Sequence, residues 1–371
     1  MHTYAFVSHE SAVEAIWSLA ARGWKEVFDD DGIWLVPDVQ NCVTTQRDLA
    51  RLESVVDLDA LGIRRRPVEL LVPNKSCYSR GKRAKFHVWK DFFPERSFVR
   101  VHDRVFVSTP YFACVQLAMA HRADRLSKAE AEASAQEDAY QRKRLGLEGE
   151  PSTAAELVRW GNIARLARAT QVMCDFMGTY RYVPAKDRAG GKADIAYRTT
   201  PIVKPDVLAD YLEQMGTVRG IERARRVSAL AFARTASPME TLLVLMLTFP
   251  QDLGGFGLPR PSVNREVPVP EDQRALCSQD KIVADLCWPE QRVIVEYYGW
   301  NEHFGAGPRK VASDFARANS LTALGWTVLC ATYKQTCTLG GLTLLARQLA
   351  KALGTSLRDP SDLELVWRSR L

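Results

Sequence analysis

The chain has 371 residues, 46% hydrophobic and 25% charged, with 22 Gly and 18 Pro. At roughly 150 residues per domain this is enough for two or three cored domains, which excludes a disulfide-stapled miniprotein, a disordered chain and a fibrous one. Fifty Lys and Arg against 44 Asp and Glu leave a formal charge of +6, and the surplus is uneven along the chain.

A first helix is expected from Ser11 to Arg22, where Val13, Ile16, Trp17, Leu19 and Ala20 form one apolar face and Gly23 can end it. Gly32 to Val36 and Val68 to Val72 read as short strands. Lys85 to Val107 alternates enough to predict a small sheet broken at Phe92-Phe93-Pro94. Thr109 as N-cap and Pro110 at the first position start a helix running to His121. Ser127 to Glu150 is polar throughout, either a solvated helix or a mobile excursion. Helical character returns from Ala154 to Phe176 and again in a basic helix from Val218 to Arg234.

A new unit begins at Ser237. A helix from Pro238 to Phe249, a Gly/Pro-rich loop from Gly254 to Pro261 and a hairpin from Lys281 to Tyr298 lead to a second Gly/Pro loop, Gly305 to Pro308. A helix from Arg309 to Leu324, a strand from Trp326 to Thr332 and a helix from Leu342 to Leu353 follow. This order predicts an α+β or α/β fold, with a C-terminal mixed sheet flanked by helices and an N-terminal mixed α/β region. Residues 1–125, 126–236 and 237–371 are the expected divisions, the middle one a helical connection.

Eight cysteines form no Cys-x-x-Cys pair, and no leader of charged then apolar residues opens the sequence. They read as reduced thiols of a cytoplasmic protein. The longest apolar run, Leu242 to Phe249, is far short of the roughly 20 residues of a membrane span, so no membrane partner is expected.

Between Arg64 and Arg104 twelve basic residues face four acidic ones, a local +8. Arg64, Arg65, Arg66, Lys82, Arg83 and Lys85 are therefore candidate contacts to a polyanion, most simply a nucleic-acid backbone; the alternative is an ordinary solvated face. Phe86, Trp89, Phe92 and Phe93 lie among these cations, either to stack exposed bases or to fill a small core.

The sharper signal is a set of carboxylates. Asp285 precedes the turn Trp288-Pro289-Glu290, and Glu296 follows the run Val293-Ile294-Val295 on the return strand. If Cys287 pairs with Arg292, Asp285 faces Ile294 and becomes the diagonal neighbour of Glu296, at roughly 7 to 8 Å. Two carboxylates so placed can share a divalent cation, Mg²⁺ or Mn²⁺, since hard ions take carboxylate oxygens. Buried in a strand, such charges are costly unless paired or metal-bound; an exposed strand end would need neither. Glu240 fits a capping box with Ser237, and equally a third carboxylate brought to the hairpin by its helix. His303, seven residues after Glu296, is a candidate general base or phosphate contact. Lys310, Asp314 and Arg317 recur on one helical face, Lys310 and Arg317 as phosphate contacts or as members of a solvated ion-pair ladder.

On Glu240, Asp285, Glu296, His303 and the run from Asp314 to Leu329, Ser237 to Lys334 resembles the very-short-patch-repair-like branch of the PD-(D/E)xK nucleases, a branch that includes a widespread bacterial domain of unknown function. The resemblance implies a restriction-endonuclease-like fold in which carboxylates hold Mg²⁺ and water for phosphodiester hydrolysis. The chain departs from that pattern at Tyr298, where the superfamily usually carries lysine, and this raises the weight on His303. Tyr4 to His9, Leu71 to Pro73, Phe86 to Trp89 and Val105 to Pro110 resemble the abortive-infection antitoxins of type IV toxin–antitoxin systems. Together the resemblances imply a metal-dependent DNA endonuclease, with DNA and a partner protein of a defence or toxin–antitoxin system as expected partners. The other reading is a non-catalytic DNA-binding regulator that retains a degenerate nuclease fold.

Overall fold

The computed structural model describes residues 3–23, 41–74, 81–119, 128–183, 194–277, 279–299 and 308–370. The expected strand from Gly32 to Val36, the loop at Gly305 and His303 lie outside them. The fold is mixed α and β, as expected, and divides into two compact units: Met1–His121 with Arg165–Ala233, and Arg122–Ala164 with Arg234–Leu371. The expected connecting region 126–236 thus supplies residues to both.

The first unit contains β1 (Ala5–Val7), α1 (His9–Ala21), α2 (Gln46–Glu53), β2 (Val68–Val72), β3 (Ala84–Val88), β4 (Phe98–His102), β5 (Val105–Ser108) and α3 (Pro110–Ala118). Its five-stranded sheet has the order β3-β2-β1-β5-β4. β1 is parallel to β5 and antiparallel to β2, and β2 is parallel to β3. Thr109 caps α3 through the Phe112 amide, with Pro110 at the first position, as the sequence predicts. α3 is shorter than expected, because Met119 turns to an extended conformation at ψ 126°.

At the end of β1, His9 adopts a φ of 51°. Its ring stacks on His87 with centroids 3.6 Å apart. The His87 Nε2 and the Lys85 Nζ each lie 3.2 Å from the Glu69 carboxylate. Burial opposes ionisation of Glu69, but its bond to His87 and the neighbouring positive groups outweigh that and hold its pKa far below the ordinary value.

α4 (Lys128–Leu145) and α5 (Ala154–Met177) follow. The polar stretch is thus helical, and Asp138 on α4 is buried, accepting from Arg142 Nε at 3.0 Å and from Ser152 Oγ at 2.6 Å. A hairpin of β6 (Tyr180–Val183) and β7 (Asp194–Tyr197), then α6 (Pro205–Gln214) and α7 (Ile221–Leu230), belong to the first unit. α7 is the expected basic helix, and two of its arginines are engaged, Arg223 on the Ala118 carbonyl of α3 and Arg225 on Glu222 one turn away.

In the second unit α8 (Pro238–Thr248) leads through a turn to β8 (Ser262–Val267), β9 (Ile282–Trp288) and β10 (Val293–Tyr298). α9 (Pro308–Ala323) then crosses to β11 (Thr327–Thr332), and α10 (Tyr333–Thr336), α11 (Leu339–Ala352) and α12 (Asp362–Arg370) end the chain. The sheet order is β11-β10-β9-β8, with β8, β9 and β10 antiparallel and β11 parallel to β10. β10 is buried along nearly its whole length, as expected of a central Val/Ile-rich strand between two neighbours. Leu321 and Leu324, at the C-terminal end of α9 and just beyond it, close over Cys287 and Ile294 of the sheet. No described helix is long and apolar enough to cross a membrane.

Candidate active site

The hairpin β9–β10 pairs Trp288 with Val293, Cys287 with Ile294 and Leu286 with Val295. This corrects the expected Cys287–Arg292 pairing by two residues. The turn is 289–292, closed by the Arg292 amide on the Pro289 carbonyl at 3.1 Å with Arg292 at φ 53°. Arg292 is held there because its guanidinium donates to the Leu324 and Gly325 carbonyls and lies over the Trp326 ring. Continuing the same pairing sets Glu296 directly across from Asp285 rather than diagonally. A shift of two leaves both on one sheet face, since side chains alternate with period two.

The paired register between β9 and β10 ends at Val295, and beyond it the Asp285 side chain takes a backbone donor of β10. Its Oδ2 accepts from the Tyr297 amide at 2.7 Å. Glu296 is fully buried and forms an ion pair with Arg317 of α9. Arg317 stands four residues before Leu321, so the face of the helix that packs on the sheet also delivers the guanidinium.

Glu240 is buried at the start of α8, and its carboxylate accepts from Ala236 N at 2.9 Å, Ser237 Oγ at 3.0 Å and Asn264 Nδ2 at 2.9 Å. Ser237 Oγ accepts from the Glu240 amide at 3.2 Å, so the N-cap is formed, but the Glu240 carboxylate returns to the Ala236 amide and not to that of Ser237, so the expected capping box is only half made. The same carboxylate acts electrostatically on both Asp285 and Glu296, so the cap and the proximity to the hairpin coexist.

Burial first, then the charges of Glu296 and Glu240, drive the Asp285 carboxyl well above its ordinary range. Burial likewise pushes Glu296 up to about 7, against the opposing pull of Arg317. Tyr298 has its phenol raised by burial and interacts with the Cys330 thiol on the neighbouring strand.

Glu296 and Glu240 both raise the Asp285 carboxyl and Glu240 raises Glu296, and such acids are oxygen donors suited to a hard divalent cation, which would relieve their repulsion. The donor chemistry thus fits Mg²⁺ or Mn²⁺ through Asp285 and Glu296, with Glu240 beside them. Among the described residues, no group of three or more His, Cys, Asp or Glu side chains is arranged to enclose a metal. In this chain Glu240 is held by its cap and Glu296 by Arg317.

His303 lies outside the described residues, and so does the side chain of Lys310, whose backbone belongs to α9. Arg317, expected as a phosphate contact or as a member of a solvated ion-pair ladder, pairs with the buried Glu296. The basic stretch is partly neutralised by acids, Glu14, Glu53 and Asp59 from outside it and Glu69 from within. Arg66 pairs with Glu53 and Asp59, Arg83 with Glu53, and Lys85 with Glu69. The Arg64 and Arg65 amides both donate to Glu14, while Lys82 is exposed. Of the interleaved aromatics, Phe86 and Trp89 are buried and Phe93 packs on Trp89, Phe98 and Phe112, so these three fill the core; Phe92 is 55% exposed.

Sequence reasoning missed Asn264, which at φ 46° on β8 bridges the Arg234 carbonyl and Glu240. It missed β8 itself, whose Ser-Val-Asn-Arg-Glu-Val lacks a clean apolar alternation. The α9 spacing of Asp314 and Arg317 was the signal for the Glu296 partner, but it did not say which way the guanidinium turns.

Two curated proteins of Mycobacterium tuberculosis are similar to part of the chain: uncharacterized protein MT2308 of strain CDC 1551 and uncharacterized protein Rv2248 of strain H37Rv. Each is 27% identical over 146 residues, 39% of this chain and 47% of its own length. The chain thus spans about half the length of the curated relatives it matches. No family model and no solved structure matches it.

Proposed function

We propose that the chain is a metal-dependent DNA endonuclease of the patch-repair-like PD-(D/E)xK kind, hydrolysing phosphodiester bonds at the Asp285–Glu296 hairpin. The observation that carries this reading is the pair Asp285 and Glu296, set opposite each other by the hairpin register and within electrostatic reach of Glu240, with the proton affinity of both members of the pair raised. Acids kept together at such a cost are expected where a cation is to be held. The order α8, three antiparallel strands, α9 and a parallel β11 agrees with the restriction-endonuclease-like sheet that the resemblance implies.

Asp285 and Glu296 would hold Mg²⁺ or Mn²⁺, with Glu240 as the third acid. The metal would lower the pKa of a bound water and stabilise charge growing on the phosphate. Arg317 opposes the rise that burial imposes on Glu296 and favours its ionised form. His303 would serve as proton acceptor and Lys310, from its place on α9, as phosphate contact. Cations of the first unit, Arg65 and Lys82 foremost, would meet the DNA backbone, and a partner protein of a defence or toxin–antitoxin system fits the N-terminal resemblance.

Incubation with supercoiled plasmid tests the proposal. Wild-type protein should nick it only when Mg²⁺ or Mn²⁺ is added, and Asp285→Asn should bind DNA without nicking it. Equal nicking by Asp285→Asn would reject the assignment.

One observation favours a second reading, a DNA-binding regulator on a degenerate nuclease fold. Tyr298 engages Cys330 where a lysine would serve catalysis. That reading expects salt-sensitive DNA binding with no metal dependence.

A further inference from the structure

A cavity of about 320 Å³ opens in the second unit between α11, the turn after α8 and the segment before α12. Thr343, Arg347 and Lys351 recur every four residues of α11 along one wall, which puts a hydroxyl, a guanidinium and an ammonium in a row. Arg347 and Lys351 are exposed. Neither has a carboxylate partner among the described residues. Like charges one turn apart repel and destabilise a helix, so their pairing at a cavity calls for an anion between them.

The second observation lies across the cavity. Arg368 lines it while only 5% exposed. It is fixed by neutral groups alone: Nε donates to the Gly254 carbonyl at 2.9 Å, Nη2 to the Gly255 carbonyl at 2.8 Å, and the guanidinium lies 4.0 Å from the centre of the Phe256 ring. It too forms no ion pair among the described residues. A buried guanidinium without an ion pair is a desolvated positive charge, which Glu364 offsets only from a distance, and such charges are retained where an anion completes them. The remaining cation of the lining, Arg358, is already neutralised by Glu364. Three cations without an ion pair of their own therefore line the cavity, with Asp359 the acid in its wall and Glu364, engaged by Arg358, acting on Arg368 from one turn away.

We propose that this cavity is a phosphate-binding site, taking either a free nucleotide or the phosphorylated end of a nucleic acid between Arg347, Lys351 and Arg368. A guanidinium held by its neighbours recognises phosphate oxygens with little loss of freedom, and an ammonium beside it adds a point charge. The site shares no residue with the carboxylate hairpin and stands whether or not that hairpin cleaves DNA.

Calorimetric titration with inorganic phosphate, ADP and paired 5′-phosphorylated and 5′-hydroxyl oligonucleotides tests it, using wild type, Arg347→Glu/Lys351→Glu and Asp285→Asn/Glu296→Gln. Phosphate should bind wild type at constant ionic strength, and the α11 double variant should bind at least roughly tenfold more weakly. The carboxylate variant should bind as wild type does. Because the α11 changes are on exposed positions, unchanged circular dichroism will show that the fold survives. ADP binding more tightly than phosphate identifies a nucleotide, whereas a preference for the phosphorylated oligonucleotide identifies a nucleic-acid end. Absence of binding by every probe, or equal binding by the α11 variant, overturns the proposal.

Discussion

The guanidinium of Arg317 meets the carboxylate of Glu296, fully buried in the central strand β10, so the helix that covers the sheet also neutralises its deepest acid. Removing one member of such a pair leaves the other charge uncompensated. Arg317→Gln should lower the unfolding free energy by about 3–5 kcal/mol. Adding Glu296→Gln to it should recover much of that loss. Urea denaturation of the four members of the cycle measures the coupling, and strict additivity would show that the pair is not formed.

Titration of the same site gives a pH signature. Glu296 in the fold titrates at about 7, above its unfolded value of about 4.3. A raised carboxyl favours the fold fully below the unfolded value, and that contribution is lost as pH rises through 7. Glu296→Gln should therefore make stability less steeply falling between about pH 5 and 8, by up to about 1.4 kcal/mol per pH unit. His9 and His87, both held below their ordinary value by burial, act oppositely below about 6.5. Glu69 acts only at lower pH, where protonation of its depressed carboxyl removes stability. The comparison is accordingly wild type against variant, by thermal unfolding across pH.

Glu240 has two roles that different substitutions separate. Ser237→Ala removes the cap of α8 and should cost about 1 kcal/mol of stability while leaving divalent-metal affinity near wild type. Glu240→Gln keeps a polar acceptor at the cap but removes a charge from beside Asp285, and should weaken metal binding. Metal affinity unchanged in Glu240→Gln would reduce that glutamate to a capping residue.

Much of the site's scaffold was legible in the sequence because it is written in local patterns. Ser237-Pro238 begins α8, Val293-Ile294-Val295 marks a buried strand, and Gly325 at φ 81° ends the turn after α9. The hairpin register was not, because it depends on Arg292 reaching the Leu324 and Gly325 carbonyls, a contact across more than thirty residues of sequence. The charge surplus near Arg64 was legible as a number but not as a surface. Glu14, Glu53 and Asp59, which engage it, lie outside the counted window. The short helices α10 and α12 and the strand β8 escaped because their apolar positions are too few to show a period.

That neutralisation has a consequence for DNA binding. Lys82 and Arg65 remain exposed, whereas Arg66 is already paired twice. Lys82→Ala/Arg65→Ala should lower the slope of log affinity against log salt by about 2. Arg66→Ala should change it less. Fluorescence anisotropy with duplex DNA over a salt series reads both, and equal slopes for all three proteins would place the DNA elsewhere.

The most direct test of the account is calorimetric titration of Mn²⁺ at pH 8 into wild type and into Asp285→Asn/Glu296→Gln, each checked for its fold by circular dichroism. The account predicts saturable Mn²⁺ binding by the wild type that the double variant lacks. No binding by the wild type, or equal binding by a folded double variant, would contradict it and leave the two acids to a structural role.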